Sequence, residues 1–410
     1  MNLRYLRLIL MILLVGSVLG IAPSLAQDSD DACPVIIETA LDTVGDNCGA
    51  LDRNNACYGY DQVEATFSEA VASDYFSQPS DRAELIHLQS LVTAALSETG
   101  ETWGIALLNV QANVPNTLPG QAVVFMLIGD AKIENAVAPE DAFLPTDPVP
   151  VTTAVAFSNI RSAPNTDSYV IASVVRGTEF EADGRSVDGE WYRVIYEGSP
   201  VWINQFVLNQ ANGLSDLPVI SDDTLTPMQA FYFRTGTGTP VCNEAPNAVV
   251  VQGPESMSVM INANGADITI SSTIMLQSNP DDTIKLTALQ GHAEVGGVVV
   301  PAGFSINAAI DETGTVRPGT WTGSRPMTQP ELNQLNSFRK IGRALLHYEI
   351  QPPTMAQIFQ TQAQFNAATV GSIVVTRCQN AGLSRAECRR LFDSGLVLTV
   401  AGFDEVALSH

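Results

Sequence analysis

The sequence predicts a multidomain, mainly β protein. It expects a small β-barrel and a second β-rich module, either a β-sandwich or β-helix-like, flanked by an α+β N-terminal unit and a helical C-terminal unit. Three observations carry this. Eight short apolar runs, separated by Gly, Asn, Asp and Pro, fill residues 248–310. Two stretches with little periodicity, 136–153 and 211–239, interrupt the chain. A helical period of apolar residues starts beyond Thr328.

The elements follow in order. Residues 1–26 carry Arg4 and Arg7, an apolar run over 8–21, and small residues at Ser24 and Ala26. This is the pattern of a secretory signal peptide. No later segment offers the eighteen or so apolar residues of a membrane span, and no Leu-x-x-Cys pattern offers a lipid anchor. The expected location is extracellular or periplasmic, with no membrane span after cleavage.

Residues 27–135 read as the α+β unit. Cys33, Ile37, Leu41, Val44 and Cys48 share one helical face. Residues 81–97 read as a helix, with Asp81 and Glu84 spaced as a capping box and Leu85, Leu88, Val92 and Leu96 as its stripe. Runs at 103–110 and 122–128 read as strands. The Pro- and acid-rich stretch 136–153 reads as a linker, followed by the barrel at 154–210 and a second linker at 211–239. The β-rich module covers 240–325 and the helical unit 326–410. In the latter, Thr328 and Glu331 form a capping box with Pro330 in the first turn, ahead of Leu332, Leu335, Phe338, Ile341 and Leu345. Ser384 and Glu387 form a second box.

A formal net charge of −24 argues against nucleic acid and anionic lipid as partners. The acidity is read as favouring solubility outside the cell. The six cysteines, Cys33, Cys48, Cys57, Cys242, Cys378 and Cys388, are disulfide candidates in an exported chain. Cys378 and Cys388 are close enough to pair locally. A straight helix would hold Cys33 and Cys48 about 22 Å apart. They can pair only if that helix breaks near Gly45, and Cys242 must reach another module if all six are bonded. No C-x-x-C or His-x-His spacing is present, so no metal and no cofactor is expected.

The barrel carries the most specific signal. Asn159-Ile160-Arg161-Ser162 with Pro164, then Gly177, Trp191 with Val194, and Trp202 with Ile203, resembles the bacterial SH3 domain over about sixty residues. The resemblance implies a five- or six-stranded barrel in which Asn159, Arg161, Pro164, Gly177, Trp191 and Val194 are structural. It also implies a binding role towards peptidoglycan, a peptide or an envelope protein. One departure is Val201, where the family commonly has Gly before the second Trp; Gly198 lies upstream instead.

Within 189–203, alternation puts Trp191, Arg193 and Ile195 on one face and Tyr192, Val194 and Tyr196 on the other. A barrel this small needs a large core anchor, and Trp191 is assigned that place. Tyr192, Tyr196 and Trp202 are assigned to a ligand face. A weaker resemblance covers about residues 248–310, where a strand–Gly–strand pattern over 286–304 with Val-Pro-Ala-Gly is similar to FecR-type periplasmic domains.

Catalytic spacing is sparse. No G-x-S-x-G, H-E-x-x-H, phosphate loop or dinucleotide fingerprint occurs. Ser337 and Lys340 match S-x-x-K, but its companion motifs are missing and the pair sits in a helical pattern. His87, assigned to the 81–97 helix, and His292, His347 and His410 are scattered, and Asp222-Asp223 and Asp281-Asp282 read as solvated turns. The expected function is a secreted, non-enzymatic binding protein whose barrel engages a cell-wall component or envelope protein. A cell-wall hydrolase with an unrecognised catalytic module and a structural or assembly protein are the alternatives.

Overall fold

The computed structural model describes residues 29–364, apart from 98, 100, 101, 113, 118–120, 210, 256 and 342–344. The signal peptide, the Cys378/Cys388 pair, the Ser384/Glu387 box and His410 lie outside the described residues. The protein is mainly β, with two large sheets packed face to face and a third, smaller sheet forming the barrel.

All eight runs expected within 248–310 are strands, but they do not form a unit of their own. They are shared between the two large sheets. In the nine-stranded sheet, Ala248–Gln252 lies between Thr273–Asn279 and Val123–Ile128, so C-terminal strands pair with N-terminal ones. In the eight-stranded sheet, Ala230–Thr235 lies between Ala131–Asn135, antiparallel, and Val259–Ala263, parallel. The boundary expected between an α+β unit at 27–135 and a β module at 240–325 therefore does not separate two cores. One buried cluster runs through both sheets, with Phe125 of one and Phe231 of the other 5.1 Å apart between ring centroids. Local patterning finds strands; it does not say which distant strand each will pair with.

The helix expected at 81–97 is two short strands, Arg82–Glu84 and Leu88–Thr93, joined by a turn that contains His87. Asp81 does not cap a helix: its carboxylate accepts the backbone N–H groups of Ser77 and Gln78, closing the preceding turn. A bulge explains the misleading stripe. Thr66 pairs with Ser90 and Phe67 with Leu88, which leaves Gln89 as the extra residue. One inserted residue shifts the alternation, so Leu88 and Leu91 both reach the core at a spacing of three that imitates a helix.

The N-terminal helix Ser29–Cys48 is unbroken at Gly45 and lays Ile37, Leu41 and Val44 against strand Asn55–Tyr60. Cys33 and Cys48 accordingly take different partners. Cys33 bonds Cys242, 209 residues away, and Cys48 bonds Cys57. The helix is tied at both ends.

Beyond the sandwich, the expected long helical repeat is a helix Gln329–Asn333, a 3₁₀ turn Ser337–Lys340 and a helix from 355. Leu332, Leu335, Phe338, Ile341 and Leu345 are nonetheless all buried on the sandwich. Glu331 forms its half of the expected capping box by accepting the Thr328 backbone N–H at 2.8 Å. Lys340 pairs with Glu38 at 3.1 Å, and Ser337 is buried.

Candidate binding site on the barrel

The barrel sheet runs Val170–Val175, Phe157–Arg161, Ser199–Asn204, Trp191–Tyr196, Glu179–Arg185 and Val149–Thr152 in spatial order. Its last strand comes from the segment expected as a linker, and Pro150 is tolerated there because the strand is an edge. Closure is made by Thr153, which bridges Leu208 and whose hydroxyl donates to the Val175 carbonyl at 2.6 Å.

The expected structural residues fall into place locally. Arg161 donates to the Ser168 carbonyl at 2.6 Å, holding the loop that contains Pro164. Asn159 faces solvent opposite Ser173. Gly177 turns at φ +84°. Val194 is fully buried in the barrel core. The departure at Val201 also has a physical account: Val201 packs inside the barrel, while Glu197 and Gly198, both at positive φ, make the tight two-residue turn between Tyr196 and Ser199.

The aromatic assignments invert. Tyr192, with Val194, Ile160 and Phe180, fills the barrel, and Trp191 does not. Trp191 and Trp202 are both buried on the outer face, in a separate cluster with Val114, Phe143 and Ile220. The anchor expected at Trp191 is thus an anchor of the barrel to the rest of the chain. Trp202 is not available as an exposed ligand contact, and Tyr196, half-buried with its ring 6.4 Å from Phe180, sits at the rim of the core. The negative charge of Glu197 raises the Tyr196 phenol above its usual range. Tyr192, Tyr196 and Trp202 therefore do not form one solvent-facing surface.

Arg193 completes this docking, a role that strand alternation alone did not indicate. Its guanidinium binds the Asp183 carboxylate in a fork, at 2.8 and 2.6 Å, and donates to the carbonyls of Val114 and Thr117. The two stretches expected as linkers supply the cover: Phe143 comes from the first, Ile220 and the barrel-core residue Leu217 from the second.

One side of the barrel remains open. A cleft of about 640 Å³, within the range of small-ligand sites, lies at its mouth between the 3₁₀ turn Gln205–Val207 and the turn Leu214–Asp216. Tyr192 lines it from inside, and Gln205, Phe206, Asn209 and Asn212 from the rim. Phe206 is 77% exposed. A smaller cavity of about 200 Å³ lies beside Cys48, Asn109 and His347; His347 there binds the Ala122 carbonyl at 2.6 Å. Among the described residues, no cluster of three or more His, Cys, Asp or Glu is placed to hold a metal ion.

Residues 154–207 match the family described as Bacterial SH3 domain. No curated protein matches the chain. Among the described residues, no helix is long and apolar enough to cross a membrane. The segment 154–207 is a bacterial SH3 domain, a binding module built into a larger β protein.

Proposed function

We propose that the protein is an exported, non-catalytic binding protein whose SH3 domain engages a component of the cell envelope through the cleft at its mouth. The observation that carries this is the position of that cleft: it opens on solvent at the C-terminal edge of the matched segment, which supplies Tyr192, Gln205 and Phe206 while residues 208–215 supply the rest, and the Trp191/Trp202 face of the same barrel is covered. The signal-like N-terminus and the two disulfides support export. The wall-related habit of bacterial SH3 domains supports peptidoglycan as the first component to try.

The test is co-sedimentation of the oxidised protein with purified peptidoglycan across salt, beside Phe206→Ala, which alters an exposed side chain. Binding that Phe206→Ala weakens is the expected result. Failure of the wild type to sediment at any salt would remove peptidoglycan as the partner.

A further inference from the structure

The cleft has a definite chemical character. None of its ten described lining residues is Asp, Glu, Lys, Arg or His, in a chain with 16% charged residues; the carboxylate of Asp216, in the turn that bounds the cleft, accepts the Ser215 hydroxyl at 3.2 Å. Its polar groups are side-chain amides and hydroxyls: Gln205, Asn209, Asn212 and Ser215 around the rim, with Tyr192 beneath. Each amide offers a donor pair and an acceptor side by side, and none of the three amides bonds another described residue.

Tyr192 is the distinguishing group. It is 8% exposed, its ring packs in the barrel core, and its hydroxyl makes no hydrogen bond among the described residues. The hydroxyl is also absent from the sealed, unpartnered polar atoms of the core, so it meets the cleft, the recess its side chain lines. A tyrosine buried to this degree ordinarily finds a partner for its O–H. Here the partner's place is open space large enough for a ligand.

We propose that this cleft binds an uncharged saccharide, with Phe206 as the stacking platform, the rim amides reading sugar hydroxyl or N-acetyl groups, and the Tyr192 hydroxyl bonding the deepest of them. The inference rests on the proposed function and names the ligand class of that same site. A sugar suits the lining better than a peptide does. A peptide that binds by strand addition needs a free edge, and strand Trp191–Tyr196 below the cleft is paired on both sides, with Glu179–Arg185 and with Ser199–Asn204. An anionic sugar or a phosphate would find no cation among the described lining residues.

The probes are chitotetraose, a neutral N-acetylated oligosaccharide, and pentaglycine, an uncharged peptide, each titrated calorimetrically at low and high salt, together with sedimentation on whole peptidoglycan. Chitotetraose is expected to bind with an affinity that salt leaves unchanged. Tyr192→Phe, which deletes one oxygen and keeps the ring, is expected to weaken it about tenfold with an unaltered melting temperature, the loss of one hydrogen bond. Asn209→Ala, on the exposed rim, serves as a second variant and is expected to weaken it by a similar factor. Binding of pentaglycine in place of chitotetraose would overturn the saccharide assignment. Sedimentation on peptidoglycan without any chitotetraose binding would overturn it too, while leaving the proposed function standing. Failure on both would sink the two together.

Discussion

Two charged residues, Arg193 and Glu331, join parts of the chain that lie far apart in sequence. Arg193 is almost fully buried, and its fork on Asp183 plus two carbonyl acceptors satisfies the guanidinium from both sides. Arg193→Ala would leave the part-buried Asp183 without its partner, a loss of about 2 kcal/mol. It should also loosen the face it pins, so tryptophan emission should shift to the red as Trp191 and Trp202 meet water; unchanged emission would contradict the docking. At Glu331, burial opposes the charge, but hydrogen bonds from Arg325, Lys285 and the Thr328 N–H overcome it and hold the carboxyl far below the usual range. A depressed carboxyl pKa stabilises the fold above the ordinary value, about 4.3, and that contribution fades as pH falls from there towards the folded value. Glu331→Gln should therefore cost about 2 kcal/mol at pH 7. The gap in melting temperature from wild type should narrow steadily below pH 4.5. The Thr328/Glu331 spacing was legible in the sequence because capping is a local interaction. Lys285, 46 residues away, was not legible, since only the sheet brings it near.

Elements were legible where one residue sets each side chain's face and obscure where an irregularity resets it. The strands at 248–310 are short apolar runs bounded by Gly, Asn, Asp and Pro and were found; the Gln89 bulge turned a strand into an apparent helix. The segments 136–153 and 211–239 misled for a different reason. Each holds a strand, Val149–Thr152 in one and Ala230–Thr235 in the other, and each also contributes single apolar residues, Phe143 in one and Leu217 and Ile220 in the other, whose partners lie on the barrel. A lone apolar residue has no period to detect. These segments act as straps, and Gly184 shows how tightly one lies: a Cβ there would overlap the Ile220 side chain. Gly184→Ala should cost about 2 kcal/mol by overpacking, measurable by denaturant unfolding. The double variant Gly184→Ala, Ile220→Ala should recover part of that loss. Recovery of none of it would mean that the strap does not press on the strand.

The barrel is inserted within a hairpin of the sandwich. Ala131–Asn135 and Ala230–Thr235 pair directly, and the Ala136 N–H still donates to the Ala230 carbonyl as the chain departs. The barrel was legible because its motif is contiguous, whereas the sandwich pairs strands more than a hundred residues apart, such as Val123–Ile128 with Ala248–Gln252. The two disulfides act at correspondingly different ranges. On chain entropy alone, the Cys33–Cys242 bridge contributes about 5 kcal/mol and the Cys48–Cys57 bridge about 2.5 kcal/mol. Cys33→Ser with Cys242→Ser should therefore lower the melting temperature about twice as far as Cys48→Ser with Cys57→Ser. The long bridge has a mechanical consequence as well. Tension applied between a point before Cys33 and a point after Cys242 passes from sulfur to sulfur, through the covalent link. The 208 residues between them, the whole barrel and its cleft included, lie outside the load path. A binding module carried in this way stays folded while the chain around it is pulled.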